Sequence, residues 1–528
     1  MDRRAFLIAA GRIGLAAGAG AVGLTVARAV TPAATARPGV MHRPGESATP
    51  TQGRAGTRSG PTGNTAPHAN LVRQENAVRG TDRWLIGGLP ATIQGYLDRA
   101  SVAPGDQLAL RVDAQTQFDV EWYRLGWYGG SGGRQVRVDS TLPASPGSAP
   151  LLDPTTGRSE APWQPSLALE VPRDWPPGMY TAVLRPRSGN PGYVPFIVRR
   201  PPGDSAPVLF VSAALTWQAY NTWGGANLYD ASMADSPEIS KGRRAVQVSL
   251  DRPYEQHQGA GYQQRWELQF VRWQEREGID VDYAADLDLE LDPAILDGRR
   301  LVVFAGHHEY WSRPMRTALE AAVASGVNVL FLSANEVYWQ VRLEPSPLGP
   351  GRRMTCYKSR LLDPLASSQP ELTTCRWRER PVDDPEAPLV GQMYGHIVRR
   401  PGDWVAAQTD HWLYEGTGLR DGDHLVNLVG QEYDSYFPEL ANPGTVILAR
   451  SPIDAVIERG QQVGRYASPA IHNSTMYTAS SGATVFAAGT FQWSWALDQF
   501  GDRSYRGYAT PVDERVVQMT RNLFDRLG

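Results

Sequence analysis

The feature that most limits how this chain can fold is a change of hydrophobic period close to residue 201. Before it, apolar residues recur at every second position: Leu108, Leu110 and Val112, then Phe118, Val120 and Trp122, then Val136 and Val138. Gly and Pro clusters separate these runs. Period two puts alternate side chains on one face of a pleated strand. Further short strands are predicted at Leu167 to Val171, Met179 to Leu184 and Tyr193 to Val198. About seven short strands in roughly 120 residues predict an antiparallel, immunoglobulin-like β-sandwich over residues 75–201.

After Pro201 to Ala206 the alternation stops. Val208 to Val211, Leu301 to Ala305 and Val327 to Leu332 are continuous apolar runs, and Ile279 to Tyr283 is a shorter one. Between them, Tyr262 to Glu277 and Arg313 to Ser325 have helical spacing, with Trp266, Phe270 and Trp273 on one face of the first. Strands alternating with helices predict a doubly wound α/β domain with a parallel sheet over residues 205–528. Such sheets carry function in the loops beyond the carboxyl ends of their strands. The unusual residues collect there: Thr216 to Gly225, Gly306 to Ser312 and Ala334 to Trp339.

The amino terminus reads as an address. Arg3-Arg4-Ala5-Phe6-Leu7 followed by a weakly apolar Ala/Gly run and Ala27-Arg28-Ala29 resembles a twin-arginine export signal, residues 1–29. Cleavage there would leave no stable membrane anchor and a periplasmic, cell-surface or secreted protein. Residues 30–74, rich in Thr, Ala, Pro, Gly, Ser and Arg, are predicted to be a disordered linker. Gly18 to Gly23 matches the dinucleotide pattern G-x-G-x-x-G, but no strand precedes it and it lies within the signal.

Several chemistries are excluded early. With 52 Lys+Arg against 55 Asp+Glu, the charge of −3 offers no basic field for nucleic acid. Lys241 and Lys358 are the only lysines, and neither lies in a Schiff-base or phosphate-loop motif. Gly129 to Gly133 satisfies G-x-S-x-G, but a nucleophile elbow joins a strand to a helix, and both flanks here read as strand. Cys356 and Cys375 could close a loop of about 20 residues with one bridge worth roughly 3 kcal/mol, or remain two buried thiols. No H-E-x-x-H or C-x-x-C motif is present, and adjacent His307 and His308 point to opposite sides of the chain. An oxygen-rich set remains: Glu309, Tyr310, Asn335 and Tyr338, with Glu432 further on. Hard anionic oxygens suit a hard ion.

Blocks in one order along the chain then become informative: Ile93-Gln94-Gly95-Tyr96, Tyr123 to Gly130, Ala219-Tyr220-Asn221 with Trp223-Gly224-Gly225, Gly306 to Ser312, and Asn335 to Trp339. Together they resemble the large subunit of N,N-dimethylformamidase and its relatives, over roughly Glu75 to Gly528. The resemblance implies a glutamine-amidotransferase-like α/β domain and a metal-dependent amidohydrolase acting on a small amide, with one non-haem Fe(III) held by two tyrosine phenolates and a glutamate. By motif these carry over to Tyr310, Tyr338 and Glu432, with His307, Glu309, Asn335 and Asp498 as candidates for the catalytic base and hydrogen-bonding roles. It also implies a small subunit or a homo-oligomer as partner. The family enzyme is cytoplasmic, so the substrate need not transfer to an exported chain. The alternative is a non-catalytic cell-surface or carbohydrate-binding protein that stacks ligands on Trp217, Trp223, Trp311, Trp339, Trp493 and Trp495.

Overall fold

The alternation at Leu108, Leu110 and Val112 becomes the strand Gln107–Asp113, with all three side chains buried. It is the middle strand of a three-stranded sheet between Gln94–Leu97 and Leu167–Glu170. A second sheet runs in the order Ser101–Val102, Gly192–Val198, Gly178–Pro186, Phe118–Leu125, Gly133–Leu142. Its pairings are antiparallel except that of the short strand Ser101–Val102. The aromatic pack of Trp122, Trp175, Tyr180 and Phe196 belongs to their shared core, with Trp122 meeting Phe196 edge-on at 5.7 Å. Ser131 of the G-x-S-x-G match lies between two strands of one antiparallel pair, as both flanks predicted.

This structure, a computed structural model, describes residues 71–528 except 202, 230–243, 256–258, 456–461, 464, 465 and 468. The export signal and residues 30–70 of the linker lie outside the described residues. Residues 71–74, read from sequence as linker, instead open the helix Leu71–Asn76: Val72 is buried, and Glu75 accepts a hydrogen bond from the Tyr128 hydroxyl. Among the described residues no helix is long and apolar enough to cross a membrane.

The continuous apolar runs form a seven-stranded sheet in the order Val281–Ala285, Val208–Ser212, Leu301–Ala305, Asn328–Leu332, Thr484–Ala487, Ile471–Thr478, Val446–Pro452. The first five are mutually parallel; Ile471–Thr478 runs antiparallel to them, and Val446–Pro452 runs antiparallel to Ile471–Thr478 in turn. Val208–Ser212 is flanked by Val281–Ala285 on one side and Leu301–Ala305 on the other. That arrangement opens a crevice at the carboxyl ends of adjacent strands. The helix expected from Tyr262 starts with a wider π-type turn, Gln263–Glu267, and is regular only over Leu268–Glu277. Arg313–Ala324 is a helix capped by the Ser312 side chain, which accepts from the Met315 amide.

Both sheet systems belong to one compact unit, Asn70–Gly528. Tyr123, Leu125 and Val183 of the sandwich share a core with Phe210, Phe270 and Trp273. A buried ion pair, Arg124 to Glu275 at 2.5 Å, spans the same junction. Gly126 is required there, because a Cβ would lie 1.9 Å from a Glu275 carboxylate oxygen. The six tryptophans proposed as a stacking platform are all buried, so they cannot present rings to a polymer.

A four-stranded sheet, Gln247–Ser249, Gly349–Thr355, Trp339–Ser346 and Tyr310–Ser312, brings two of the polar loops together. Tyr310 pairs with Trp339 in parallel register. Cys356 and Cys375 are buried and unbridged. Cys375 Sγ approaches the Arg376 carbonyl at 3.5 Å and Cys356 Sγ the Gln340 carbonyl at 4.0 Å, so the thiols point to different acceptors.

Candidate active site

The site is built from three chain segments at the carboxyl ends of the parallel strands. The first leaves Val208–Ser212 as the short helix Ala214–Tyr220. Two buried acids hold its start: Glu267 accepts from the Ala213 amide, the Ser212 hydroxyl and the Trp217 indole, and Asp286 accepts from the Leu215 amide. Burial lifts the Glu267 carboxyl to a pKa of about 8. Beyond the helix, Arg252 gathers the chain with five hydrogen bonds of 3.0–3.1 Å: to the Gln218 side chain and to the carbonyls of Gln218, Asn221, Trp223 and Ala226. Asn227 completes the loop, donating to the Tyr220 carbonyl and accepting from the Tyr229 amide. The two tyrosine rings consequently stack with centroids 4.4 Å apart.

The second segment leaves Leu301–Ala305 through Gly306, whose φ of +113° and 2.7 Å Cβ approach to Glu267 admit only glycine. The third, Asn335 to Trp339, is tied to it by the amides of Val337, Tyr338 and Trp339, which donate to the carbonyls of His308 and Glu309. Asn335 and Val337 both have positive φ, 56° and 53°. A β-branched residue in that region is strained, and such strain persists where the surroundings impose it.

Glu309 is the centre of the assembly. Its carboxylate accepts from the Tyr220 hydroxyl at 2.7 Å, the Tyr229 hydroxyl at 2.8 and 3.0 Å, and the Trp339 indole at 2.9 Å. His307 Nε2 is 3.3 Å from it and 3.7 Å from Glu432. The Tyr310 hydroxyl donates to Tyr229 at 2.5 Å and accepts from Lys358 at 2.8 Å. Lys358, the one lysine among the described residues, sits 3.3 Å above the Tyr229 ring and 4.9 Å from that of Trp339. Glu432 accepts from Asn335 Nδ2 at 2.7 Å, and Asp434 accepts from the Asn335 amide at 2.8 Å.

Burial dominates the electrostatics. It raises Glu309 and Glu432, the latter further through repulsion from Glu309, and it lifts Asp434 to about 7. The Tyr220, Tyr229 and Tyr310 phenols are pushed well above 10 by burial and then by the Glu309 charge. Burial lowers Lys358 to about 7, against the pull of Glu309, and takes His307 to about 3. His307 is neutral at ordinary pH, with neither ring nitrogen hydrogen-bonded, and the Asn335 side-chain oxygen is also unpartnered. A buried imidazole and amide without partners are poised to meet a ligand.

His307, Glu309, Asn335 and Glu432 from the sequence reading come together here. Asp498 does not: its carboxylate is bonded to Arg272 Nε at 2.7 Å and the Phe500 amide at 2.9 Å, an ion pair with the middle of the Leu268–Glu277 helix. Tyr310 reaches Glu309 only through Tyr229. The Tyr338 ring packs between Tyr394 and the guanidinium groups of Arg376 and Arg378. Tyr220, Tyr229 and Lys358 were not singled out as site residues. Tyr220 had a signal in the Ala219-Tyr220-Asn221 block; Tyr229 and Lys358 had none.

A chain whose parallel-sheet edge gathers two phenols and an indole around one buried carboxylate, with an amide side chain holding a second, has the makings of a hydrolytic centre built from oxygen donors. It belongs to the N,N-dimethylformamidase beta subunit-like family: the family model for the C-terminal part of such subunits matches residues 119–508. It is similar to the N,N-dimethylformamidase beta subunit of an Alcaligenes species, 25% identical over 439 residues that cover 69% of this chain and 54% of that protein. The chain thus spans about half the length of that curated relative.

Proposed function

We propose that the chain is an exported amidohydrolase that cleaves a C–N amide bond, with Tyr220, Tyr229 and Glu309 as the donor set for a single Fe(III). The observation that carries the reading is the direct contact of both phenols with one carboxylate. Two tyrosines and a glutamate match the donor set of the family in kind, and they replace Tyr310, Tyr338 and Glu432, among which no direct contact joins all three. Among the described residues no three His, Cys, Asp or Glu side chains gather as a metal site needs, so an ion here has to draw on phenols. Three anionic oxygens suit a hard trivalent ion. Bound there, the iron would supply Lewis-acid activation of water and of the amide carbonyl.

The protein's own groups cover the remaining tasks. Glu432, held by Asn335 and raised in pKa, is placed to take a proton from water and return it to the leaving nitrogen. His307, neutral and between the two carboxylates, orients the nucleophile without adding charge. The Asn335 side-chain oxygen, free of partners, can accept from a water or an amide N–H. Lys358 offsets the negative charge gathered around Glu309. The relative's description as a beta subunit supports an assembly with further subunits, and the paired arginines support export in folded form.

Metal analysis and absorption of Tyr229→Phe and Tyr338→Phe test the assignment. Tyr229→Phe should lose most iron and its phenolate-to-iron colour, because one anionic ligand disappears while the ring stays. Tyr338→Phe should keep both. Full iron in Tyr229→Phe, or its loss only in Tyr338→Phe, would refute this donor set.

A further inference from the structure

Two carboxylates on one strand hold different parts of a single residue. Glu432 and Asp434 stand two apart on the buried strand Glu432–Ser435, so alternation sends both side chains to the same face. Glu432 takes the side-chain amide of Asn335 at 2.7 Å, and Asp434 takes its main-chain amide at 2.8 Å. No step of the chemistry above uses the second contact. Yet Asp434 is 1% exposed, and its carboxylate has one hydrogen-bond donor among the described residues, that same main-chain amide. Arg378, whose charge reaches it, is taken up by both oxygens of Glu386 at 2.9–3.1 Å and by the Tyr394 carbonyl. A buried acid is ordinarily paired with a cation or held by several donors, so this one calls for another reason.

Asn335 supplies it. Its φ of +56° lies in the left-handed region, which a residue other than glycine keeps only where its surroundings impose it. Asn335 is 2% exposed, so no water stands ready for its N–H if the acceptor is removed. Both ends of the contact are tied to neighbouring strands of the large sheet. Asn335 follows just after Asn328–Leu332, and the Asp434 amide donates at 3.0 Å to the carbonyl of Gly489, just after Thr484–Ala487. Those two strands pair in parallel, which closes the circuit. Gly489 is required in it: its φ is +71°, and a Cβ would lie 2.2 Å from the Asn473 carbonyl oxygen.

We propose that Asp434 is a positioning residue: by accepting the Asn335 main-chain amide it locks that residue in its left-handed conformation and so sets the Asn335 side chain against Glu432. The proposal rests on the amidohydrolase reading above, in which Glu432 moves the proton, and adds the group that aims it. Without the acceptor, the Asn335 peptide would rotate to satisfy its N–H, and the side chain would swing off Glu432. Displacing a positioned group by about 1 Å costs about 10²-fold in rate. Asp434 is bonded to none of Tyr220, Tyr229 and Glu309, so iron should stay in place.

The test follows hydrolysis of N-methylformamide by the iron-loaded full chain. Asp434→Leu, which keeps the side chain's shape and loses the acceptor, should lower kcat by about 10²-fold with little change in KM or iron content. Asp434→Asn, whose side-chain oxygen still accepts, should recover most of that loss. In an Asn335→Ala background Asp434→Leu should cost nothing further, because the two residues act as a unit. Hydrogen exchange of a peptide spanning Asn335 gives a readout apart from activity: exchange should quicken in Asp434→Leu and return towards wild type in Asp434→Asn. If the wild type hydrolyses no amide yet exchange follows this order, the anchor stands and the amidohydrolase reading fails. If the amide is hydrolysed and Asp434→Leu keeps wild-type kcat, or its loss adds in full to that of Asn335→Ala, the positioning role is overturned and the amidohydrolase reading stands. Thermal melts establish that the variants fold, and Asp434→Ala takes the place of Asp434→Leu in the same comparisons if the latter does not.

Discussion

Arg252→Met is the perturbation that best separates scaffold from chemistry, since Arg252 touches no reacting group yet pins the loop that sets Tyr220 and Tyr229, the two tyrosines proposed as ligands. Its five hydrogen bonds all end on neutral oxygens, and four of these are backbone carbonyls of the Gln218 to Ala226 loop. Burial drags its pKa down to about 10 from 12.5, which corresponds to about 3 kcal/mol spent on enclosing the cation. Removing the guanidinium recovers that cost but strands four buried carbonyls, each worth roughly 1–3 kcal/mol when left unpaired. The carbonyls win: the variant should lose on the order of 5 kcal/mol of stability in urea or guanidinium titration. Iron affinity should fall as well, because the chain that sets Tyr220 against Tyr229 is no longer pinned. Arg252→Lys should be intermediate, reaching some of the carbonyls with one ammonium. Wild-type stability together with full iron in Arg252→Met would show that the loop holds its shape without the guanidinium, and the reasoning would be wrong.

Glu432→Gln should lower kcat by about 10²–10⁴ while keeping iron and colour, as expected of a base that does not ligate; loss of iron would make Glu432 a ligand instead. Glu267 is raised from 4.5 to about 8 in the folded chain, so its contribution is fully present below pH 4.5 and lost as pH rises through 8. Glu267→Gln should therefore gain stability relative to wild type between pH 6 and 9, measured by thermal melts, and an identical pH profile in the two proteins would refute the shift. Both cysteine thiols should resist a thiol reagent in the native protein and react on unfolding, with burial holding Cys356 up at about 11; a single mixed population with no free thiol would mean that a bridge forms.

The elements were legible wherever one local rule decides. Alternation marks Gln107–Asp113, because a half-buried strand must alternate, and the unbroken run from Val208 marks a strand covered on both faces. The helix from Tyr262 was legible in its apolar face but not in its first turn. There Gln263–Glu267 widens, in the turn that carries the Glu267 carboxylate to Ser212, a contact 55 residues away along the chain. The site divides in the same way. His307, Glu309 and Asn335 stood out because they lie in polar-aromatic loops at strand ends. Motif proximity favoured Tyr310, next in sequence to Glu309, yet its hydroxyl bonds Tyr229 and Lys358 rather than the Glu309 carboxylate. The phenols that do reach Glu309 come from 80 and 89 residues upstream, brought there by Arg252 and Asn227. No spacing rule reports that.

The order of strands in the large sheet also sets the timing of assembly. Asn328–Leu332 is completed on its far edge by Thr484–Ala487, drawn from the last part of the chain. While the ribosome makes everything between, that apolar edge has no partner, and unpaired edges of slow, non-local sheets are where nascent chains stick to one another. Chains cut short before Thr484 should accordingly be recovered as aggregates rather than as smaller folded fragments, whatever the intrinsic stability of the sandwich that precedes them.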